Sequence, residues 1–262
     1  MGRVSLEDDC RRLRSLHVPG APLVLPNAWD AASARAVVAA GFPVVATTSA
    51  GVAAALGYED HESAPPDGML AAAARIAGAV DVPVTVDAEA GYGMAPADLV
   101  SALERAGAAG CNLEDTDHEA DRLREAARQA EWLAAVREAA DERGCRLVIN
   151  ARIDVFVFAA GHGGAEQPQA ELVDDALERA RAYAEAGVDC VYPIALWQAE
   201  ALSAFTSEAP VAVNALRIPP APPLAELAEM GVARVSYGGL LHHQTMERFA
   251  TELESVERPP DD

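Results

Sequence analysis

A valine-rich strand ends in two carboxylates in the segment Pro83-Val84-Thr85-Val86-Asp87-Ala88-Glu89-Ala90-Gly91-Tyr92-Gly93. Burying an acid without a partner costs free energy, so carboxylates at the exit of a buried strand indicate a site rather than packing. Carboxylate oxygens that converge at a strand end suit a hard divalent cation such as Mg²⁺. We therefore predict that Asp87 is a direct metal ligand.

Short apolar strands and amphipathic helices alternate along the whole chain. Strands are predicted over residues 23–28, 44–48, 84–88, 111–115, 147–152, 190–194, 211–215 and 234–238. Helices are predicted after them, over residues 30–40, 68–80, 96–108, 123–143, 171–186, 198–206, 224–230 and 241–256. Eight such units without a break in composition predict one α/β domain over residues 1–262, a (β/α)8 TIM-type barrel. The alternative, an open doubly wound sheet, would need a Gly-x-Gly-x-x-Gly turn after the first strand, and that turn is absent.

Glycines are expected to end four of these helices. Gly41, Gly110, Gly187 and Gly231 each follow a helical run and precede a strand, as is typical of the C′ position. An extra helix over residues 6–17 precedes the first strand. We expect it to cover the barrel floor.

Charge and composition exclude several classes of protein. The net charge of −21 argues against nucleic acids and anionic membrane surfaces as partners. All 20 basic residues are Arg, so no lysine is available for a Schiff base, and bond cleavage next to a carbonyl would need a metal ion. The chain shows no apolar leader, no apolar run of about 18 residues and no metal-ligand spacing among its four Cys. Together these features predict a cytoplasmic protein.

Polar residues gather at the predicted C-terminal strand ends, where barrel enzymes carry their active sites. The stretch Thr48-Ser49-Ala50 offers hydroxyls and consecutive backbone N–H groups to an anion. Arg152 ends an apolar strand and could grip a carboxylate or phosphonate through two hydrogen bonds. It could also pair with Asp154 or Glu114, and the two roles are compatible.

Three further side chains near the mouth have two interpretations each. Asn214 either donates to a substrate carboxylate or caps the loop that follows its strand. His118 and His162 could each move a proton near neutral pH, or could be solvated loop residues. The sequence leaves these alternatives open.

Segments that span about residues 5–250 resemble the isocitrate lyase and phosphoenolpyruvate mutase superfamily. They are Pro26-Asn27-Ala28-Trp29-Asp30, Ala46-Thr47-Thr48-Ser49-Ala50-Gly51, Leu56-Gly57-Tyr58-Glu59-Asp60, Val86-Asp87-Ala88-Glu89-Ala90-Gly91-Tyr92-Gly93, Asn112-Leu113-Glu114-Asp115 and Asn150-Ala151-Arg152-Ile153-Asp154. The resemblance implies a Mg²⁺-dependent barrel, with Mn²⁺ as a second candidate ion, that acts on a small 2-oxo acid or dicarboxylate. It also implies a homotetramer or homodimer, in which the last helix could be exchanged between subunits.

The resemblance implies a metal site with one direct protein ligand. Asp87 would bind the metal directly. Water molecules would link the metal to Asp60, Glu89 and Glu114.

The resemblance also implies a substrate site beside that metal. Thr48-Ser49-Ala50 would bind the carboxylate of the oxo acid next to Asp87, and Asn214 would lie near the substrate's distal end. The candidate catalytic residues are Arg152, which would clamp the substrate, together with Glu114 and His118.

The segment after the fourth strand departs from the family pattern. True lyases carry Lys-Lys/Arg-Cys-Gly-His there, with the Cys as acid–base, whereas this chain reads Asp115-Thr116-Asp117-His118-Glu119-Ala120-Asp121. Phosphoenolpyruvate mutase and phosphonopyruvate hydrolase carry a Lys and an Asn there, and this chain has no Lys. Isocitrate or methylisocitrate cleavage by the cysteine route is therefore not expected.

Three functions remain open from the sequence. The leading hypothesis is a Mg²⁺-dependent lyase or decarboxylase that passes through a metal-held enolate and yields a pyruvate-type product. The second is phosphonopyruvate hydrolysis or phosphoenolpyruvate mutation, in which Arg122 or Arg124 replaces the missing lysine. The third is a catalytically silent protein that binds a 2-oxo acid.

Overall fold

Nine parallel strands form one sheet that curves into a nearly closed barrel. The computed structural model describes residues 5–165 and 167–257. The strands are β1 (Leu23–Leu25), β2 (Asn27–Ala28), β3 (Val45–Thr47), β4 (Val84–Asp87), β5 (Gly110–Glu114), β8 (Val148–Ile153), β9 (Cys190–Pro193), β10 (Ala212–Leu216) and β11 (Arg234–Ser236). Their order is β1-β11-β10-β9-β8-β5-β4-β3-β2. The predicted TIM-type α/β fold is confirmed.

The first predicted strand is split in two, which accounts for nine strands instead of eight. Pro26 has no backbone N–H and interrupts the ladder between β1 and β2. β1 pairs with β11, and β2 pairs with β3. The two halves therefore join the ends of the sheet. Asn27 strengthens this junction, because its Nδ2 donates to the Thr47 carbonyl at 2.7 Å and its Oδ1 accepts from the Tyr237 N–H at 2.8 Å.

Helices surround the sheet, and most follow the predicted positions. They are α1 (Leu6–Ser15), α2 (Ala31–Ala39), α3 (Ser49–Leu56), α4 (Pro66–Ala77), α5 (Pro96–Ala106), α6 (Ala126–Glu142), α7 (Val155–Ala159), α8 (Val173–Glu185), α9 (Ala199–Glu208), α10 (Leu224–Glu229) and α11 (Leu240–Glu254). Short non-α helical turns cover Ala160–Gly164 and Gln169–Leu172. A small antiparallel hairpin of β6 (Thr116–Asp117) and β7 (Arg122–Leu123) follows β5.

Three elements were not predicted from the sequence: α3, α7 and the hairpin. Helix α7, Val155-Phe156-Val157-Phe158-Ala159, has five residues and no polar face. The α3 segment Ser49-Ala50-Gly51-Val52-Ala53-Ala54-Ala55-Leu56 is almost uniformly small and apolar, so it lacks the polar and apolar faces that identify a helix. The hairpin strands have two residues each, too few to show an alternating pattern.

The expected helix-ending glycines are correct at three of four positions. Gly41, Gly187 and Gly231 have the left-handed φ values of a C′ residue, between 86° and 90°. The prediction for Gly110 is wrong, because Gly107 ends α5 with φ 78° and Gly110 begins β5. Gly110 is needed for space instead, since an added Cβ would lie 2.7 Å from the Val148 carbonyl oxygen.

The extra helix α1 lies at the N-terminal ends of the strands, as expected for a barrel floor. Leu13 is fully buried beside the start of β5. Arg14 Nε donates to Asp189 Oδ1 at 2.7 Å, and its Nη2 donates to the Arg146 carbonyl at 2.6 Å. These contacts fix α1 to the segments that enter β8 and β9.

The barrel interior is unusually polar. Successive residues of a strand face opposite sides, and Val191, Val213 and Val235 belong to the apolar core between sheet and helices. The opposite face carries the buried polar residues Asn112, Glu114, Asn150, Asn214, Arg234 and Ser236 and the buried Cys190 and Tyr192, together with Arg152, whose side chain is 12% exposed. In most barrels of this kind Val, Ile and Leu fill this space.

One hydrogen bond crosses the barrel interior. Arg234 Nη2 donates to Asn112 Oδ1 at 2.9 Å, and these residues belong to β11 and β5, which are not neighbours in the sheet. Asn112 Oδ1 also accepts from Asn150 Nδ2 at 2.9 Å. The interior is therefore held by polar bonds as well as by packing.

Two further observations concern the whole described chain. All four cysteines are buried and form no disulfide bond, and Cys10 Sγ and Cys145 Sγ share a hydrogen bond at 3.6 Å. Over residues 5–165 and 167–257, no helix has both the length and the apolar character needed to cross a membrane.

Candidate active site

Asp87 stands at the C-terminal end of β4, with one oxygen bound and one oxygen free. Its backbone N–H donates to Thr47 Oγ1 at 2.8 Å, and its Oδ2 accepts from the Ser49 N–H at 3.1 Å. Its Oδ1 is buried without a hydrogen-bond partner. Burial raises the pKa of Asp87, although the nearby Arg152 guanidinium acts in the opposite direction. The carboxylate is thus positioned but electrostatically incomplete.

The first turn of α3 approaches Asp87. Thr48 precedes this helix, and Ser49 and Ala50 are its first two residues. The predicted anion nest is therefore a helix N-terminus, where unpaired N–H groups and the helix dipole favour negative charge. Gly51 allows this close packing, because an added Cβ would lie 2.7 Å from Thr48 Cγ2.

Glu89 is linked to the loop that carries Asp60. The Glu62 N–H donates to Glu89 Oε1 at 2.6 Å, and Glu62 Oε1 accepts from the Tyr92 N–H at 2.6 Å. Asp60 Oδ1 is a second buried carboxylate oxygen without a partner. Burial raises the pKa of Glu89 to about 7, and the charges of Asp87, Asp60 and Glu114 act in the same direction.

Arg152 joins two buried carboxylates at the mouth. Its Nε and Nη2 donate to the two oxygens of Asp154 at 2.6 and 2.8 Å, and its Nη2 lies 2.5 Å from Glu114 Oε2. Thr116 Oγ1 donates to Asp154 Oδ2 at 2.6 Å. The ion-pair interpretation of Arg152 is therefore correct, and the guanidinium is held in a fixed orientation.

Asp115 supports this cluster from behind. It is fully buried and accepts from the Asp154 N–H at 2.9 Å, from Arg179 Nη1 at 3.0 Å and from the Tyr183 hydroxyl at 2.6 Å. Burial and the charge of Asp154 raise the pKa of Asp115 to about 6, against the opposite effect of Arg179. Asp115 fixes the backbone of Asp154 and does not face the mouth as a free acid.

Glu114 connects Arg152 to His118. Glu114 Oε1 forms a hydrogen bond with His118 Nε2, and the carboxylate is almost fully buried. Burial raises the pKa of Glu114 to about 7, although Arg152 and His118 both act to lower it. The His118 ring also lies 5.0 Å from the His61 ring. The structure thus brings His118 into the site, against its interpretation as a solvated loop residue.

A pocket of about 400 Å³ opens beside these groups. Its lining combines charged groups, imidazoles and apolar side chains: His61, Thr116, His118, Asp121, Arg152, Asp154, Val157, Phe158, Gly161 and His162. His162 stacks on Phe158 at 3.9 Å and contacts Asp121 Oδ2 at 3.2 Å, on the solvent side. A small acid fits this space.

Asn214 lies deeper, inside the barrel. It is fully buried, its Nδ2 donates to Ser236 Oγ at 3.1 Å, and its Oδ1 has no partner. It does not cap the following loop, so that alternative is wrong. The free amide oxygen faces the same interior as Tyr192 and Arg234.

The two arginines proposed to replace the missing lysine lie elsewhere. Arg122 and Arg124 line a second pocket with Met94, Gln129 and Trp132, separate from the pocket of Arg152. Arg124 Nη1 is engaged by the Ala90 carbonyl at 3.4 Å.

The acid groups fit a metal held mainly through water. No three His, Cys, Asp or Glu side chains of the described residues converge for direct coordination. Two unpaired carboxylate oxygens, on Asp87 and Asp60, together with two acids whose pKa values burial raises to about 7, mark a region short of positive charge. Mg²⁺ binds through one or two carboxylates and retains several waters, which agrees with this arrangement.

Three residues that the structure places in or near the site were not predicted from the sequence. His61 lies in a loop with no detectable pattern, and Glu62 connects two loops only through the fold. Arg234 carried a usable signal, because a charged residue inside the apolar run Val232-Ala233-Arg234-Val235 must face a polar space.

The fold and the buried acids at its mouth define a TIM-type barrel with a charged site, and comparison with known proteins gives its family. The pattern described as Phosphoenolpyruvate phosphomutase matches residues 13–257. The chain belongs to this family. Its curated relatives include a 2-methylisocitrate lyase and a 2,3-dimethylmalate lyase. A phosphonopyruvate hydrolase that was solved with oxalate and Mg²⁺ shares the fold, at 21% identity and a TM-score of 0.80.

Two relatives and one solved structure illustrate the similarity. An uncharacterised protein of Mycobacterium tuberculosis is 34% identical, over 86% of this chain and 81% of its own. A probable 2-methylisocitrate lyase of Corynebacterium glutamicum is 32% identical, over 86% of this chain and 72% of its own. A crystal structure from Burkholderia cenocepacia, provisionally assigned as a phosphonomutase, is 43% identical with a TM-score of 0.89, and the match covers 96% of this chain and 99% of that one.

Proposed function

We propose that this protein is a Mg²⁺-dependent lyase or decarboxylase that acts on a small 2-oxo acid or its adduct and forms a pyruvate-type product. The observation that carries the proposal is the buried, unpartnered Oδ1 of Asp87. It lies between a helix N-terminus and the fixed guanidinium of Arg152. A metal ion would supply the missing partner of the Asp87 carboxylate, and the carboxylate of an oxo acid would bind to the helix N-terminus and Arg152.

Each part of the site has a task in such a reaction. Asp87 would bind Mg²⁺ directly, with Asp60, Glu89 and Glu114 holding its waters. A bound Mg²⁺ would polarise the oxo and carboxylate oxygens of the substrate and so favour their negative charge. The first turn of α3 would receive the substrate carboxylate through N–H groups.

Arg152 and its partners orient the rest of the substrate. Asp154 and Glu114 hold the guanidinium in one orientation. Substrate binding therefore does not lose conformational entropy by ordering this side chain. His118 stands where its Nε2 shares a proton with Glu114, at the edge of the pocket. Decarboxylation is the leading reaction, because CO₂ departs without a proton donor and the hairpin β6–β7 has no Cys.

The test is pyruvate release from oxaloacetate, phosphonopyruvate, dimethylmalate and methylisocitrate, with Mg²⁺ or with a chelator. Asp87→Asn serves as the blank, because Mg²⁺ alone decarboxylates oxaloacetate. Asp81→Asn is the matched control, since Asp81 is exposed and precedes β4, at the opposite end of that strand from Asp87. We expect release by the wild type and the control alone. Equal release by Asp87→Asn would refute the metal role.

The phosphonopyruvate reaction is the second candidate, because the solved structure at 43% identity is provisionally assigned to that chemistry. A hydrolase would release pyruvate and inorganic phosphate from phosphonopyruvate, whereas a mutase would convert it to phosphoenolpyruvate and release neither. No conversion of any acid, with Mg²⁺-dependent thermal stabilisation by those acids, would instead indicate the silent binder.

We also propose that the last helix joins copies of this chain into a dimer or tetramer. Met246, Phe249, Leu253 and Val256 are between 46% and 56% exposed. Their spacing places them on one helical face, and such an apolar stripe indicates an interface. Met246→Glu with Phe249→Glu should lower the mass in sedimentation equilibrium, whereas Gln244→Glu should not. An unchanged mass in the double variant would exclude this interface.

A further inference from the structure

Tyr192 lies in the barrel interior, in the layer that carries the site. The strand register places Glu114 beside Arg152 and Arg152 beside Tyr192. Val191 packs into the apolar core between sheet and helices, so Tyr192, the next residue, faces inward. Its side chain is almost fully buried. A phenol therefore stands one strand away from the guanidinium that would clamp the substrate.

Ser236 is a polar neighbour of the Tyr192 hydroxyl inside the barrel. Asn214 Nδ2 donates to Ser236 Oγ at 3.1 Å, so the Ser236 hydroxyl has its own proton to donate. Ser236 interacts with the Tyr192 oxygen, and this lowers the pKa of the phenol, whereas burial has the larger, raising effect. The phenol is therefore protonated at neutral pH. Because its oxygen accepts from Ser236, its own proton is free for another acceptor.

Arg152 and Glu114, which precede Tyr192 in the strand register, are already committed to partners. Arg152 is bonded to Asp154 and Glu114, and Glu114 is also bonded to His118. The hairpin above them has no Cys to serve as an acid. The reaction nevertheless needs one proton, because breaking a C–C bond next to an oxo group leaves an electron pair on C3 of the pyruvate product. Tyr192 carries a proton that no partner retains.

We propose that the Tyr192 hydroxyl delivers this proton to C3 of the product enolate. The inference rests on the proposed function. As the C–C bond to the leaving group breaks, its electrons form the C2=C3 double bond of the enolate. The enolate C3 then takes the proton from Tyr192, the C2–O⁻ electrons restore the carbonyl, and the Tyr192 phenolate regains a proton from water. Ser236 stabilises the phenolate between these steps.

The same step in reverse gives a direct test. An enzyme that protonates C3 must also remove protons from the methyl group of pyruvate, so it exchanges them with solvent. We would follow the methyl signal of pyruvate in D₂O by NMR, with wild-type protein and Mg²⁺. Tyr192→Phe should slow the exchange by about 100-fold or more, the usual contribution of a positioned acid–base group. Tyr58→Phe, which removes the hydroxyl of an exposed tyrosine, should leave it unchanged.

A binding measurement separates a proton donor from a structural residue. Oxalate resembles the planar enolate, and its Mg²⁺-dependent stabilisation of the fold should persist in Tyr192→Phe. Exchange at the wild-type rate in Tyr192→Phe would overturn the role of Tyr192 and leave the proposed function standing. Loss of both exchange and oxalate binding would assign Tyr192 a structural role, which also overturns the proposal. No exchange by a wild-type protein that does release pyruvate would likewise overturn the role of Tyr192, whereas no pyruvate release from any acid of the panel would overturn the proposed function itself.

Discussion

Replacing Arg152 by Lys tests whether this side chain binds the substrate as well as stabilising the fold. Arg152 makes two hydrogen bonds to Asp154, at 2.6 and 2.8 Å, and one close contact to Glu114, at 2.5 Å. An ammonium is a point charge and cannot span both carboxylates with the geometry of a planar fork. At least two charge-assisted bonds are lost, each worth about 1.5–3 kcal/mol. We expect a loss of about 3–5 kcal/mol of stability, as for a broken buried pair.

The expected thermal shift is large enough to measure by calorimetry. About 2–4 °C are lost per kcal/mol in a domain of this size, so the midpoint should fall by about 6–20 °C. Pyruvate release, measured well below the new midpoint, should fall by about 100-fold or more, because a misplaced clamp loses the geometry that accelerates the reaction.

Arg137→Lys is the matched control for this experiment. The Arg137 side chain is 7% exposed, against 12% for Arg152. It lies at the barrel floor, where it bonds to Asp189 at 2.6 Å and to the carbonyls of Gly187 and Leu147 at 3.0 Å. Its replacement should cost similar stability and leave the turnover number of the remaining folded protein unchanged. If Arg152→Lys kept turnover within a few-fold of the wild type, the substrate clamp would be refuted, whatever the change in stability.

Three further predictions concern stability and its pH dependence. Gly51→Ala should destabilise the fold by about 1–3 kcal/mol in urea unfolding, because the new Cβ would lie 2.7 Å from a side-chain carbon. Gly161 has open space around it, so Gly161→Ala should leave the stability nearly unchanged. Tyr183→Phe should cost about 1–3 kcal/mol by the same method, since it removes a 2.6 Å hydrogen bond to the buried Asp115; a neutral result would contradict the supporting role of that bond. Burial lowers the pKa of His17 to about 4 in the folded state, so the unfolded chain binds the proton first as pH falls from about 6.5. The contribution of His17 to stability is complete above that pH and should be lost progressively towards pH 4, and a His17→Gln variant with the same pH profile as the wild type would show that another group is responsible.

The barrel itself could be predicted from local patterns. Strand runs such as Val84 to Val86 are short and apolar, and their spacing from amphipathic helices leaves few alternatives to a (β/α)8 arrangement. The failures occurred where the pattern is weak. Helix α3 has no polar face, and the role expected of Gly110 was taken by Gly107, three residues earlier. Both errors are local and do not alter the topology.

Residue identity at strand ends determined which side chains could form the site. Asp87, Glu114 and Arg152 follow apolar runs, and parallel strands bring such ends to one rim, so their proximity follows from the sequence once the fold is known. The absence of Lys and of a hairpin Cys likewise limited the chemistry without any structure. These inferences need only the alternation of elements and the residue types.

Only the tertiary structure decided which side chains of the site are hydrogen-bonded to other protein groups and which have an unpaired polar atom. The structure shows that two carboxylates hold Arg152, that His118 bonds to Glu114, and that one oxygen of Asp87 has no partner. These facts depend on distances between strands that are far apart in the chain. The inward orientation of Tyr192 also depends on register, because a shift by one residue would turn it to the opposite face. Hydrogen bonds and burial act over a few ångströms, and the sequence specifies such distances only through the completed fold.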